Sequence, residues 1–192
     1  KIYLRREALG AYYAVPPGQE PGYIGLPRLP AALPERFAFT GTVEVLGEGL
    51  TLFSDVEDEP SLRAAAPKLQ ERTGEGFRPD GFAHEQHLLA KEDGRAVLLA
   101  GCGHLGIVNT LRAAKRHLGR APDAVFGGFH LFELTPGDPE AERLLAATAE
   151  ELAQGNTVYY TGHCTGDWAY ERLRERLGDR LRPMRGGTAA EL

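Results

Sequence analysis

The 192-residue sequence is poor in sulfur: it has one methionine, Met184, and two cysteines, Cys102 and Cys164. So few cysteines exclude the multi-bridge framework of a small secreted domain. Reduced thiols, or thiol chemistry at a site, are the two readings left for them. No initiating methionine is seen, since the chain opens Lys1-Ile2-Tyr3. The expectation is therefore a trimmed chain or a fragment whose upstream part is missing. No apolar run approaches the roughly 20 residues that cross a bilayer, and no signal-like segment opens the chain. A cytoplasmic protein with no membrane partner is expected. Basic residues do not dominate either: 22 Lys and Arg against 27 Asp and Glu leave a net charge of −5, which argues against nucleic acid as partner. Internal repeats and low-complexity tracts are lacking. The 42% hydrophobic and 26% charged residues suffice for a sizeable core and exclude disorder.

Three regions follow along the chain. Residues 1–36 form a Pro/Gly-rich region, with Pro16, Pro17, Pro21, Pro27, Pro30 and Pro34 among glycines, and are expected to be an irregular loop bordering a pocket. Residues 37–100 are hairpin-rich. Thr40–Leu46 and Leu50–Asp55 flank Gly47-Glu48-Gly49, and His87–Lys91 and Arg95–Ala100 flank Glu92-Asp93-Gly94, a positive-φ turn signal. The stretch 57–80 between them reads as a connection with at most a short helix. Ala96–Ala100 is continuously apolar, as for a strand covered on both faces.

From residue 101 to 188 helical and extended patterns alternate. Ile107, Leu111, Ala114 and Leu118 keep helical spacing up to Gly119, and Asp138-Pro139 opens a second helix through Gln154. Trp168–Leu177 is a third, and Ala124–Phe126, Thr157–Thr161 and Arg180–Met184 are strands. The alternation implies α/β layering.

Three histidines share one address. His104 follows the strand ending at Ala100, His130 the strand ending at Phe126, and His163 the strand ending at Thr161, each beside glycine. Separations of 26 and 33 residues are each about one βα repeat of roughly 30 residues. The three imidazoles should therefore converge at the carboxyl edge of the sheet, where open α/β folds place ligands. A lone histidine after a strand is usually a hydrogen-bonded loop residue; three in register point to a metal or catalytic site. His84 and Glu85 lie close to this pattern, with their part left open. Gly101-Cys102-Gly103-His104-Leu105-Gly106 also matches a dinucleotide fingerprint, but no acidic residue closes a following strand. A Cys102–histidine nucleophile pair is the remaining alternative.

At these residues the chain resembles metallo-β-lactamase-fold hydrolases, nearest the subgroup of 7,8-dihydropterin-6-methyl-4-(ribofuranosyl)aminobenzene-phosphate synthase. The resemblance lies in Glu85-Gln86, the segment Gly101–Thr110, Gly127-Gly128-Phe129-His130-Leu131, His163-Cys164-Thr165-Gly166 and Gly187-Thr188. It implies an α/β fold, the C-terminal portion of a four-layer αβ/βα metallo-β-lactamase sandwich, holding one or two metal ions. Zinc is the expected metal, with iron or manganese as alternatives. The family's His-x-His-x-Asp-His motif is absent. The resemblance makes His163 a metal ligand and gives Cys102 the place of a bridging aspartate. The expected site comprises His104, His163 and Cys102 at the metal, His130 as the catalytic donor or acid, and Glu85 and Thr165 towards substrate. The expected activity is attack of a metal-activated hydroxide on a small-molecule ester, amide or phosphate-type substrate. A pterin-pathway condensation, or an inactive fragment lacking half the metal site, are the alternatives. Homo-oligomerisation is left open.

Overall fold

The computed structural model describes residues 1–27 and 34–191; of the front-segment prolines, Pro30 lies outside them. The front segment is not wholly irregular. Strands β1 (Ile2–Arg5), β2 (Tyr12–Ala14) and β3 (Gly22–Tyr23) are short enough to fit around Pro16, Pro17 and Pro21. β1 runs parallel to β4 (Phe37–Thr40), from Ile2 opposite Phe37 to Arg5 opposite Thr40. The hairpin expected near Gly47–Gly49 is formed by β5 (Val43–Gly47) and β6 (Leu50–Phe53).

The stretch 57–80 is more ordered than its sequence suggests. It holds β7 (Leu69–Thr73) and β8 (Gly76–Pro79), which pair with each other and, through β7, with β2. The resulting antiparallel sheet has the order β3-β2-β7-β8. Neither strand alternates cleanly, so their order comes from partners distant in sequence.

β9 (His87–Glu92) and β10 (Arg95–Leu99) form the second hairpin. Asp93 and Gly94 both take positive φ at its turn, as the sequence implied. Alternation then follows: α1 (Ile107–Leu118), β11 (Ala124–Phe126), α2 (Pro139–Ala153), β12 (Val158–Thr161), α3 (Asp167–Leu177) and β13 (Leu181–Pro183). Helix α2 starts where capping chemistry places it. The Asp138 side chain accepts from Glu140 N at 3.0 Å, with Pro139 in the first turn.

These elements build a seven-stranded sheet of order β13-β12-β11-β10-β9-β6-β5, parallel from β10 to β13 and antiparallel beyond. The three helices cover one face. Phe53, His87, Leu89, Ala96, Leu98, Val125, Tyr159 and Leu181 share that face by register and are each 2% exposed or less. The other face carries Leu50, Leu88, Val97, Leu99 and Phe126, with Leu50 40% and Leu99 41% exposed. The expected two-sided covering of Ala96–Ala100 is thus not met: only Ala96 and Leu98 of β10 are buried, because every crossover helix packs on one side. No helix among the described residues is long and apolar enough to cross a membrane.

Among the polar side chains buried in this core is an imidazole. His87 packs against Phe53, with ring centroids 5.3 Å apart, and neither ring nitrogen has a hydrogen-bond partner. Burial holds its pKa below the usual histidine value, against the pull of the Glu85 charge. The unfolded chain therefore takes the proton first as pH falls through about 6.5, so stability is full above that value and declines below it. His87→Leu should flatten the decline by up to about 1.4 kcal/mol per pH unit, one proton's worth. Urea unfolding of both proteins between pH 5 and 7.5 reads this directly, and parallel curves would refute it.

Candidate metal and catalytic site

The parallel strands β10, β11 and β12 each end in a glycine-bearing loop, and the three loops are hydrogen-bonded to one another. Gly128 N donates to Gly101 O at 2.8 Å, and Leu131 N and Phe132 N donate to Cys164 O at 2.9 and 3.0 Å. Thr165 Oγ1 accepts from Phe129 N at 3.1 Å and lies 2.5 Å from Thr161 Oγ1. The Thr165 side chain, placed by sequence near substrate, is wholly buried and ties the second loop to the third.

Glycine makes the close approach feasible at two points. Gly103 takes φ +66°, and a Cβ there would lie 2.9 Å from Gly128 O. At Gly128 the φ is ordinary, but a Cβ would run into Cys164 Sγ and stand 3.4 Å from Cys102 Cα. Only a bare α-carbon lets the first and third loops meet across the second.

What meets there is a donor cluster. Cys102, His163 and Cys164 each place one ligand atom within 4.8 Å of the others. His163 is exposed, and its backbone sits at φ +51°. The hydrogen bond of the Cys164 thiol draws Cys102 well below the ordinary thiol range despite partial burial, with His104 and His163 adding to the effect. The same contact and burial push Cys164 up. The two thiols are thus pushed in opposite directions.

His104 belongs to a neighbouring group. The Glu85 carboxylate accepts from His104 Nδ1 at 2.5 Å, from His104 N at 3.0 Å and from Leu105 N at 3.4 Å. Burial favours the neutral acid, yet the hydrogen bond and charge of His104, helped by His87, hold Glu85 down at about 2. Burial would likewise lower His104, but Glu85 outweighs it and raises its pKa. Phe82 stacks on the His104 ring at 4.8 Å and 7°.

The His130 ring lies 4.3 Å from that of His104. Burial, and then the His104 charge, bring His130 down to about 4. Its Nδ1 is buried without a partner, and its backbone takes φ +47°. Two adjacent imidazoles are thus pushed in opposite directions.

The sequence reading therefore meets a site in two parts. Cys102 and His163 come together with Cys164, whose place among the donors the sequence reading missed although it adjoins His163. Glu85, His104 and His130 gather beside Phe82, which no motif singled out. His84 stands 3.8 Å from Asp80, and its ring lies tilted against Tyr12 with centroids 4.3 Å apart. Gln86 anchors the site loop to the front strands, donating to Tyr3 O at 2.8 Å and receiving Thr40 Oγ1 at 3.1 Å. A cleft of about 620 Å³ opens between Arg6–Tyr12 and Arg78–Ala83 and reaches this region at Asp80. The front segment borders it through Arg6, Glu7 and Tyr12, and none of the described residues of the Pro16–Pro34 stretch lines it.

No family model matches the chain, and no curated protein matches it. Its fold is similar to a solved crystal structure described as a metal-dependent hydrolase of the β-lactamase superfamily. The TM-score is 0.79 at 24% identity, over 99% of this chain and 70% of that one. The chain therefore has a mixed α/β fold of the kind seen in that superfamily.

Proposed function

We propose that the chain is a metal-dependent hydrolase acting on a small-molecule ester, amide or phosphate-type substrate. The observation that supports this most is the convergence of Cys102, His163 and Cys164 within 4.8 Å at the carboxyl rim of the sheet. The fold it shares with a solved metal-dependent hydrolase adds to the case.

The donor set fits the ion. Two sulfurs and an imidazole are the soft and borderline ligands that zinc takes, and three protein donors leave room for substrate or water, as catalytic zinc sites do. Cys102, Cys164 and His163 would hold the cation, and His104 has only Nε2 left for it, because Glu85 takes Nδ1. When bound, the cation supplies Lewis acidity, polarising the substrate oxygen and acidifying water.

The chain's own groups supply the proton handling. Glu85 favours the protonated form of His104, which suits this imidazole to donate from Nε2 to a leaving group. His130, lowered by burial and by its neighbour, is neutral at pH 7 and can accept a proton. Such a split pair is the usual signature of an acid and a base in one site. Phe82, flat on His104, keeps water from that side of the ring and fixes its plane. Thr165 holds the loops in register. The bare apolar face of the seven-stranded sheet is where a second sheet layer would pack to complete a four-layer sandwich.

The test is metal content and turnover on one reduced preparation. Zinc measured by mass spectrometry should be stoichiometric in the wild type and fall at least about tenfold in a Cys102→Ser, His163→Ala double variant. Undiminished zinc in that variant rejects the donor assignment. Hydrolysis of chromogenic aryl esters and phosphodiesters should follow zinc loading. Condensation of a pterin pyrophosphate, with no hydrolysis, would replace the hydrolase reading by a synthase.

A further inference from the structure

The geometry points to Cys102 and Cys164 as a dithiol that a hydroperoxide closes into an intramolecular disulfide, withdrawing two of the three donors from the ion site. Its regulatory meaning rests on the metal reading above; its chemistry does not.

These are the chain's only cysteines, both free, and 62 residues separate them in sequence. They stand on loops after β10 and β12, which are not neighbours in the sheet, since β11 lies between. The side-chain-free Gly128 lets them meet: a Cβ there would collide with Cys164 Sγ. The two sulfurs lie within 4.8 Å, and Cys164 Sγ is 3.5 Å from the Cys102 carbonyl oxygen. A disulfide spans about 2.0 Å, so the sulfurs need to close less than about 3 Å. The loop backbones are already cross-tied by the Gly128–Gly101 and Leu131–Cys164 hydrogen bonds.

Exposure sets the order of events. Cys102 is half-buried and Cys164 buried, so the oxidant meets Cys102 first. The Cys102 sulfur attacks the outer oxygen of the hydroperoxide and the O–O bond breaks. Alcohol or water leaves with the thiol proton, and a sulfenic acid remains. The Cys164 sulfur then attacks that sulfur, the S–O bond breaks, and the hydroxyl departs as water with the second thiol proton. The two thiols give up two electrons and the peroxide accepts them.

The experiment treats the reduced, full chain with hydrogen peroxide, with and without prior zinc loading. Free thiols should fall from two to none, the chain should become two hydrogens lighter, and an unreduced digest should join the Cys102 and Cys164 peptides. Dithiothreitol should restore both thiols. From the zinc-loaded protein, an indicator dye should register metal release in proportion to the cross-link. In Cys164→Ser no intramolecular link can form, and Cys102 should proceed to the sulfinic acid. The proposal is overturned if wild-type Cys102 reaches the sulfinic acid while Cys164 stays reduced, or if the only disulfide joins two chains. Cross-linking in a chain that takes up no zinc when offered it would support the dithiol and refute the ion site alone.

Discussion

Glu85→Gln is expected to lower turnover of a chromogenic ester or phosphodiester by about 10²- to 10⁴-fold, the range for a lost acid–base group, with zinc content unchanged. Glutamine keeps an acceptor beside His104 Nδ1 but removes the charge that holds a proton there, so the His104 pKa should fall. The stability signature has a definite sign. Glu85 is depressed from 4.5 to about 2, so its contribution is present above 4.5 and is lost as pH falls towards 2. The raised value of His104 means that its contribution is present below about 6.5 and is lost as pH climbs through the folded value. The pair is therefore most stabilising between about 4.5 and 6.5. Within that window Glu85→Gln should cost about 1–3 kcal/mol, the penalty for spoiling a buried charged hydrogen bond, and less at higher pH. Histidine NMR titration and urea unfolding at pH 5.5 and 8.5 check both parts. Loss of zinc together with activity would instead make Glu85 part of the ion site.

Gly128→Ala is the second large effect. The glycine has no left-handed backbone to protect, so alanine brings only a methyl group, and that methyl collides with Cys164 Sγ. Pushing the sulfur aside should weaken zinc binding by about 10- to 100-fold, as for other changes that misplace a ligand, while far-ultraviolet circular dichroism stays unaltered. Gly101→Ala, in the adjoining loop, is the matched control. Its added Cβ meets nothing within 4 Å, and binding should be unaffected. Equal losses in both variants would show that loop flexibility, not the Cys164 contact, governs the site.

Those effects depend on contacts that the sequence announces unevenly. The hairpin at Asp93-Gly94, helix α1 with its Gly119 stop and helix α2 with its Asp138 cap carry their signals locally, and each forms where expected within a residue or two. Strands β7 and β8 carry no such signal. Leu-Gln-Glu-Arg-Thr becomes a strand because β2 lies alongside, and Gly-Phe-Arg-Pro because β7 does. The apolar run at Ala96–Ala100 suggested burial on both faces, yet periodicity cannot tell on which side crossover helices will lie. In the site, the βα spacing placed the loops of His104, His130 and His163 at one rim, where hydrogen bonds tie them together. It could not reveal that Glu85, from a loop before β9, would claim His104 Nδ1. Cys164 was legible only as the neighbour of His163, since its closeness to Cys102 depends on an absent side chain at Gly128.

The left-handed backbones of His130 and His163 have a consequence for adaptation. Residues with a Cβ incur about 1–2 kcal/mol in that conformation, which glycine or asparagine adopts more readily. A population selected only for heat resistance would drift towards those residues at both positions and become hardier as its imidazoles vanished. Histidine at these two corners is a standing sacrifice of robustness, which the metal-dependent hydrolysis proposed above would account for.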